Sequence, residues 1–182
     1  MISMSKKRRR RFIKFTAFYM VILAVICVAF LAGYRINTTP SYPIGLYKLN
    51  HNIQTLETGD MIAFCPQKMG AFKVANERDY LERGICESGF DPLVKKIVAM
   101  SGDIVTVEQS VSVNGILQVN STLKPKDING RDIPRAESQL IQKGQYFVMS
   151  EYNPNSFDSR YFGPIPEGWI YARAEPIWVV RR

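Results

Sequence analysis

Ser41 stands between two prolines in the run Asn37-Thr38-Thr39-Pro40-Ser41-Tyr42-Pro43-Ile44-Gly45-Leu46-Tyr47. Proline fixes its own φ and pushes the residue before it toward extended backbone, so this hydroxyl is held out from the chain. A serine hydroxyl attacks a carbonyl only when a base takes its proton. The chain has one histidine, His51, in the polar stretch His51-Asn52-Ile53-Gln54. A Ser-His-Asp triad would rest on that residue alone, and nothing local distinguishes it from a loop histidine. The remaining partner type is lysine. An ordinary ammonium cannot accept a proton at neutral pH, but burial against apolar neighbours favours the neutral amine. The stretch Leu93-Val94-Lys95-Lys96-Ile97-Val98-Ala99-Met100-Ser101-Gly102-Asp103 supplies a lysine pair at the start of an apolar strand. Adjacent strand residues point to opposite faces, so one of the two can turn inward while the other is solvated.

Two further groups suit the same chemistry. Thr39 offers a hydroxyl beside the backbone N–H of Ser41, as donors to an oxyanion. Asn155-Ser156-Phe157-Asp158-Ser159-Arg160-Tyr161-Phe162-Gly163 combines hydroxyls, a carboxylate and a guanidinium suited to an ordered polar support. Taken singly, these segments also read as a proline-rich linker, a strand start and a surface turn. No two-Cys, two-His or His-Glu metal spacing occurs, and no glycine-rich phosphate cradle follows a strand, so no metal or cofactor is expected.

The elements that must position these groups begin with a charge asymmetry. Net charge is +8, yet seven of the 24 lysines and arginines fall within the first 14 residues, and no acidic residue precedes Glu57. Beyond residue 34 there are 17 basic and 16 acidic side chains, so the remainder is nearly neutral and no nucleic-acid surface is expected. Residues 1–14 read as a basic cytoplasmic tail. Phe15–Gly33 follows, 19 residues without a charge, which as a helix crosses a bilayer; the anchor is placed at 15–34. Positive charge on its N-terminal flank puts that end in the cytoplasm and residues 35–182 in the periplasm. A cleaved secretory signal is the alternative, since Cys27-Val28-Ala29 is small-x-small. The apolar stretch, however, is longer than a usual signal core and continues past that point.

Past the anchor the pattern is mainly β. Short apolar runs recur at Gly45–Leu49, Met61–Phe64, Val94–Ala99, Ile104–Glu108, Gln145–Ser150, Trp169–Ala174 and Ile177–Val180. Asn114-Gly115 between two alternating runs is a two-residue hairpin signal. A single short soluble helix is expected around Asn76–Arg83, and the polar stretch Lys124–Gln139 reads as a long loop. Cys27 lies in the apolar span as one more apolar side chain. Cys65 and Cys86 fall in a compartment that allows pairing, and a bridge would close about 22 residues. A zinc site from two cysteines and one histidine is the weaker alternative.

In this order and spacing the segments resemble the bacterial signal peptidase I family, and within it the conjugative-transfer peptidases of the TraF type. The resemblance runs from about Asn37 to Pro166. It implies a signal-peptidase-like β domain behind a single transmembrane helix, in the bacterial inner membrane. It implies Ser41 as nucleophile, Lys95 as general base, Thr39 and Ser41 as oxyanion donors, and Ser156, Asp158 and Arg160 as supports. Thr58-Gly59-Asp60-Met61-Ile62-Ala63-Phe64 is similar to the family's Gly-Asp strand box. Tyr42 stands where general signal peptidases usually carry Met, and Ser150-Glu151-Tyr152-Asn153-Pro154 departs from their Gly-Asp-Asn-Arg lead-in. The Ser-x-Pro-x-Gly-Leu-Tyr run and the two cysteines resemble the TraF branch instead. The resemblance therefore implies a dedicated, membrane-inserted pilin precursor as substrate, with cyclisation an open outcome. A general type I signal peptidase acting on leader-bearing precursors is the alternative, and a non-enzymatic anchored β domain is a third. Ser41 lies seven positions after Tyr34, so the nucleophile is tethered within about 25 Å of the anchor.

Overall fold

The computed structural model describes residues 6–180; the first five residues of the basic tail and residues 181–182 lie outside that range. The chain divides into two compact units, one ending at Arg35 and the other beginning at Ile36. The first is the helix α1 (Lys6–Leu31), 26 residues and therefore about 39 Å long. It runs without a break from the basic residues into the apolar stretch, so residues 6–14 are helical. Composition and length make it able to cross a membrane. Gly33, at φ +88°, ends it in a conformation that only glycine adopts cheaply. Arg35 then donates to the carbonyls of Phe30 (2.7 Å) and Tyr34 (2.8 Å) and lies 3.5 Å over the Phe30 ring. A cation there answers the partial negative charge of a helix C-terminus.

The second unit is mainly β. Its larger sheet comprises the end of β1 (Tyr34–Asn37, whose first two residues belong to the first unit), β2 (Gly45–Asn50), β3 (Met61–Phe64), β4 (Leu93–Ala99), β9 (Gln145–Met149), β10 (Ile165–Pro166) and β11 (Ile170–Val179). The smaller sheet holds β5 (Ile104–Val107), β6 (Val111–Val113), β7 (Ile116–Leu117) and β8 (Gln139–Leu140). The orders are β1-β2-β11-β3-β4-β9-β10 and β7-β6-β5-β8. Pairing from β2 through β10 is antiparallel throughout. Asn114 and Gly115, at φ +50° and +80°, form the tight hairpin turn between β6 and β7 that their sequence predicts.

Alternation along the strands sorts side chains between cores. On β9, Tyr146 and Val148 enter a cluster with Ile62, Phe64, Phe72, Ile97 and Ile165, while Phe147 and Met149 face Val105, Val107, Val111 and Val113 of the smaller sheet. Strand β9 therefore belongs to both cores and fixes the two sheets against each other.

The soluble helix is displaced from its expected position. It is α2 (Gly70–Glu77), and residues 78–83 leave the helix. Phe72 and Ala75, three residues apart on one face, bury into the main core, and Asp79 adopts φ +58°, which breaks the helical path. Cys65, immediately after β3, is joined to Cys86 by a disulfide with Cα atoms 5.6 Å apart. It closes the loop that carries α2 and residues 78–82. Replacing both cysteines by serine is expected to lower the unfolding free energy by about 3 kcal/mol, read as a shift of the denaturation midpoint. An unchanged midpoint would show that the core alone holds this loop.

Candidate active site

Strand β4 sets the position of the lysines. Its burial alternates, with Lys95, Ile97 and Ala99 inward. Lys96 points the other way, where its ammonium pairs with Glu151 at the surface. Lys95 lies between Ile62 on β3 and the core strand β9, and only 1% of its surface meets solvent. Its Nζ donates to Ser41 Oγ at 3.0 Å and to the carbonyl of Val94 at 3.0 Å. Burial pushes its pKa down; the Asp158 carboxylate opposes that and Arg160 reinforces it, leaving the amine near 8 instead of 10.5. At pH 7 about a tenth of such amines are neutral, roughly 300 times the fraction at the ordinary value.

Ser41 sits on the short irregular stretch between β1 and β2, half-buried. Several neighbours hold that stretch in place. Asn37 donates through its carboxamide to the carbonyls of Thr39, Tyr42 and Pro43 at 3.1 to 3.2 Å. Ser150 donates to the Ser41 carbonyl, Asn153 donates to that of Pro40 at 3.2 Å, and the buried Tyr42 hydroxyl donates to Met149 O at 3.1 Å. Tyr42, a departure from the signal peptidase pattern, thus acts as the pin that ties the serine loop to β9. The Thr39 hydroxyl donates to Asn37 Oδ1 at 2.7 Å, so in this state it is occupied.

Ser156 Oγ lies 3.3 Å from Ser41 Oγ, and Ser156 is itself buried. Its loop is held by the ion pair of Asp158 and Arg160, both without solvent contact. The pair is bidentate: Arg160 Nε and Nη2 each donate to a different Asp158 oxygen at 2.8 Å. Asp158 also caps the short helix α3 (Ser159–Phe162) and accepts from the Ser150 N–H at 3.1 Å. The remaining guanidinium hydrogens go to the carbonyls of Asn120, Thr122, Pro154 and Ser156. Arg160 therefore joins the segment after β7 to the turn that carries Ser156. With its partners satisfied, the buried charge is tolerated; deprived of them it would be costly.

Ser41, Lys95 and Ser156 open onto a cleft of about 530 Å³ whose walls include Leu81, Leu93, Val94, Ile128, Ile133 and Phe157. The structure thus gathers Ser41, Lys95 and Ser156 at one point and places Asp158 and Arg160 directly behind them. Asn37 and Ser150 were not singled out by the sequence, because their contribution is made through backbone carbonyls that no residue pattern reveals. Among the described residues no group of three His, Cys, Asp or Glu side chains is assembled to hold a metal. A hydroxyl hydrogen-bonded to a buried, partly neutral amine and facing an apolar cleft can perform nucleophilic acyl transfer.

The family model described as "Signal peptidase, peptidase S26" matches residues 9–179. The conjugal transfer protein TraF of Agrobacterium fabrum is 32% identical over 96% of this chain and 98% of its own length. The plasmid transfer protein TraF of Escherichia coli is 37% identical over 82% of this chain and 85% of its own. Signal peptidase I of Buchnera aphidicola is 34% identical over a shorter share, 36% of this chain and 21% of its own length.

Asp158→Ala is expected to destabilise the fold by about 3–5 kcal/mol, since it leaves Arg160 charged, buried and unpaired. Chemical denaturation measures this; a loss below about 1 kcal/mol would mean that the carbonyl partners alone satisfy Arg160.

Proposed function

Since the chain belongs to the signal peptidase family of peptidases, peptidase S26, we propose that it is a membrane-anchored serine endopeptidase with a Ser41–Lys95 dyad, which processes a pilin precursor in conjugative transfer. The observation that carries this reading is the 3.0 Å hydrogen bond between an almost fully buried Lys95 amine and Ser41 Oγ. The conjugative assignment rests on the two transfer proteins, which match along nearly their whole length, whereas signal peptidase I matches a fifth of its own. The helix α1, with basic residues at its N-terminal end, is read as an inner-membrane anchor that leaves the β domain periplasmic.

In the mechanism, Lys95 is deprotonated and keeps one N–H on Val94 O, which directs its lone pair to the Ser41 hydroxyl. Ser41 Oγ attacks the scissile carbonyl carbon as its proton passes to Lys95. The Ser41 N–H, with the Thr39 hydroxyl turned away from Asn37, donates to the resulting oxyanion. Collapse breaks the C–N bond, and Lys95 returns its proton to the leaving amine. The ester on Ser41 is then resolved by a nucleophile that Lys95 deprotonates in turn. Water gives a new carboxylate. The precursor's own terminal amine would close a ring instead. Ser156 positions the serine and lysine, and the Asp158–Arg160 pair keeps Ser156 in place. The tether of six residues between Tyr34 and Ser41 keeps this chemistry close to the bilayer, where a membrane-inserted precursor presents its cleavage site.

Ser41→Ala and Lys95→Ala are each expected to abolish processing of the co-expressed pilin precursor, with both variants still folded. For the unaltered enzyme kcat/KM should rise with pH through about 8, because the active form is the deprotonated amine. Processing that survives both substitutions would remove the dyad from the mechanism. Mass spectrometry of mature pilin separates the two outcomes: a cyclic product is lighter by one water than the linear peptide of the same sequence.

A further inference from the structure

One wall of the Ser41 cleft is made by neither sheet. It comes from two loops that are far apart in sequence: residues 80–82 of the disulfide-closed loop, and the segment 124–133. The second loop folds back on itself, with Lys126 bridged to Asp132 and the Asp127 N–H donating to Arg131 O at 2.9 Å. Asp127 fastens it to the first. Its carboxylate accepts from the Tyr80 hydroxyl, from Arg131 Nε at 2.6 Å, and from the N–H groups of Asn129 and Arg131 at 2.9 Å each. Arg78 lies 3.7 Å from the same carboxylate and donates to Asp132 O at 2.7 Å. The Asp127 side chain is only 5% exposed. Burial would raise its pKa, but the hydrogen bonds from Tyr80 and Arg131 outweigh that and hold it below the ordinary carboxylate range.

The residue carried at the tip of this clasped loop is Ile128, which lines the cleft and is 100% exposed. Isolated exposed apolar residues are common and need no explanation. This one differs because the adjacent carboxylate is buried among five polar partners that fix the loop against the cleft. Leu93, Val94 and Lys95 of β4 line the same cleft as Ile128 and Ser41, and a strand on the cleft wall suits an extended chain.

We infer that Ile128 is a specificity-determining residue: it covers an apolar side chain of the extended precursor segment bound in the Ser41 cleft. Asp127 is its positioning residue, acting through the clasp to Tyr80 and Arg78. The inference rests on the peptidase reading above for the identity of the occupant.

Binding separates the two claims. The full chain carrying Ser41→Ala, in detergent, is titrated with a synthetic peptide bearing valine at alternate positions and with a matched peptide bearing serine there. Adding Ile128→Ser should weaken binding of the valine peptide about tenfold and leave the serine peptide unchanged, since an exposed side chain contributes nothing to the fold. Adding Asp127→Asn should weaken the valine peptide similarly. With Ser41 intact, Asp127→Asn should raise KM for the valine peptide and leave kcat unaltered. Equal binding of the valine peptide with and without Ile128→Ser would overturn the inference. Failure of the intact chain to cleave a peptide that it binds in this Ile128-dependent way would count against the peptidase reading alone.

Discussion

An amine enclosed by a protein is penalised only in its charged form, and that single fact organises the site. Lys95 meets solvent over 1% of its surface, and its pKa falls because burial withholds water from the ammonium. The neighbouring charges act in opposite directions and each less than burial, since Asp158 favours the ammonium and Arg160 disfavours it. The dominant influence is therefore the packing of β4 between β3 and β9. A lysine one position along, Lys96, emerges on the opposite side and pairs with Glu151 in the ordinary way. Strand alternation converts two identical side chains into one surface ion pair and one partly neutral amine.

The other elements bring acceptors and donors to that amine and keep them there. Ser41 lies on an irregular stretch that has no ladder of its own, so its geometry depends on outside bonds. Asn37, Ser150, Asn153 and Tyr42 provide them, three through side-chain bonds to the stretch's own carbonyls and one by anchoring it to Met149. Behind Ser156, the Asp158–Arg160 pair binds segments from residue 120 to residue 160 through carbonyl oxygens. A buried ion pair is weak support for stability in general, but removing either partner is expensive. Here that expense fixes one arrangement of the loops around the Ser41 hydroxyl, the positional accuracy that the proposed dyad requires.

The β character of the domain, the Asn114-Gly115 hairpin and the long apolar helix were legible because each depends on local pattern: period, turn chemistry and length. The proximity of Ser41 to Lys95 was not available from either segment alone; the resemblance carried by their joint order pointed to it. The helix was misplaced by several residues because Asn76–Arg83 looks helical in polarity, whereas burial of Phe72 and Ala75 decides where the turn of helix pays off in packing. The segment 124–139 reads as a loop and is one except for Gln139, which begins β8, and the contacts of Asp127 with Tyr80 and Arg78 join residues about 50 apart in sequence. No periodicity encodes such a clasp. Asn37 was likewise invisible as a brace, because its partners are backbone atoms.

The account depends most on the protonation state of Lys95 in the folded chain. Titration of its Nζ by heteronuclear NMR, on full-length protein with Lys95 assigned by comparison with the Lys95→Met variant, measures that state directly. The account predicts a midpoint near 8. A midpoint at the ordinary lysine value of 10.5 would contradict it, since the amine beside Ser41 would then be almost wholly charged at neutral pH and unable to take the serine proton.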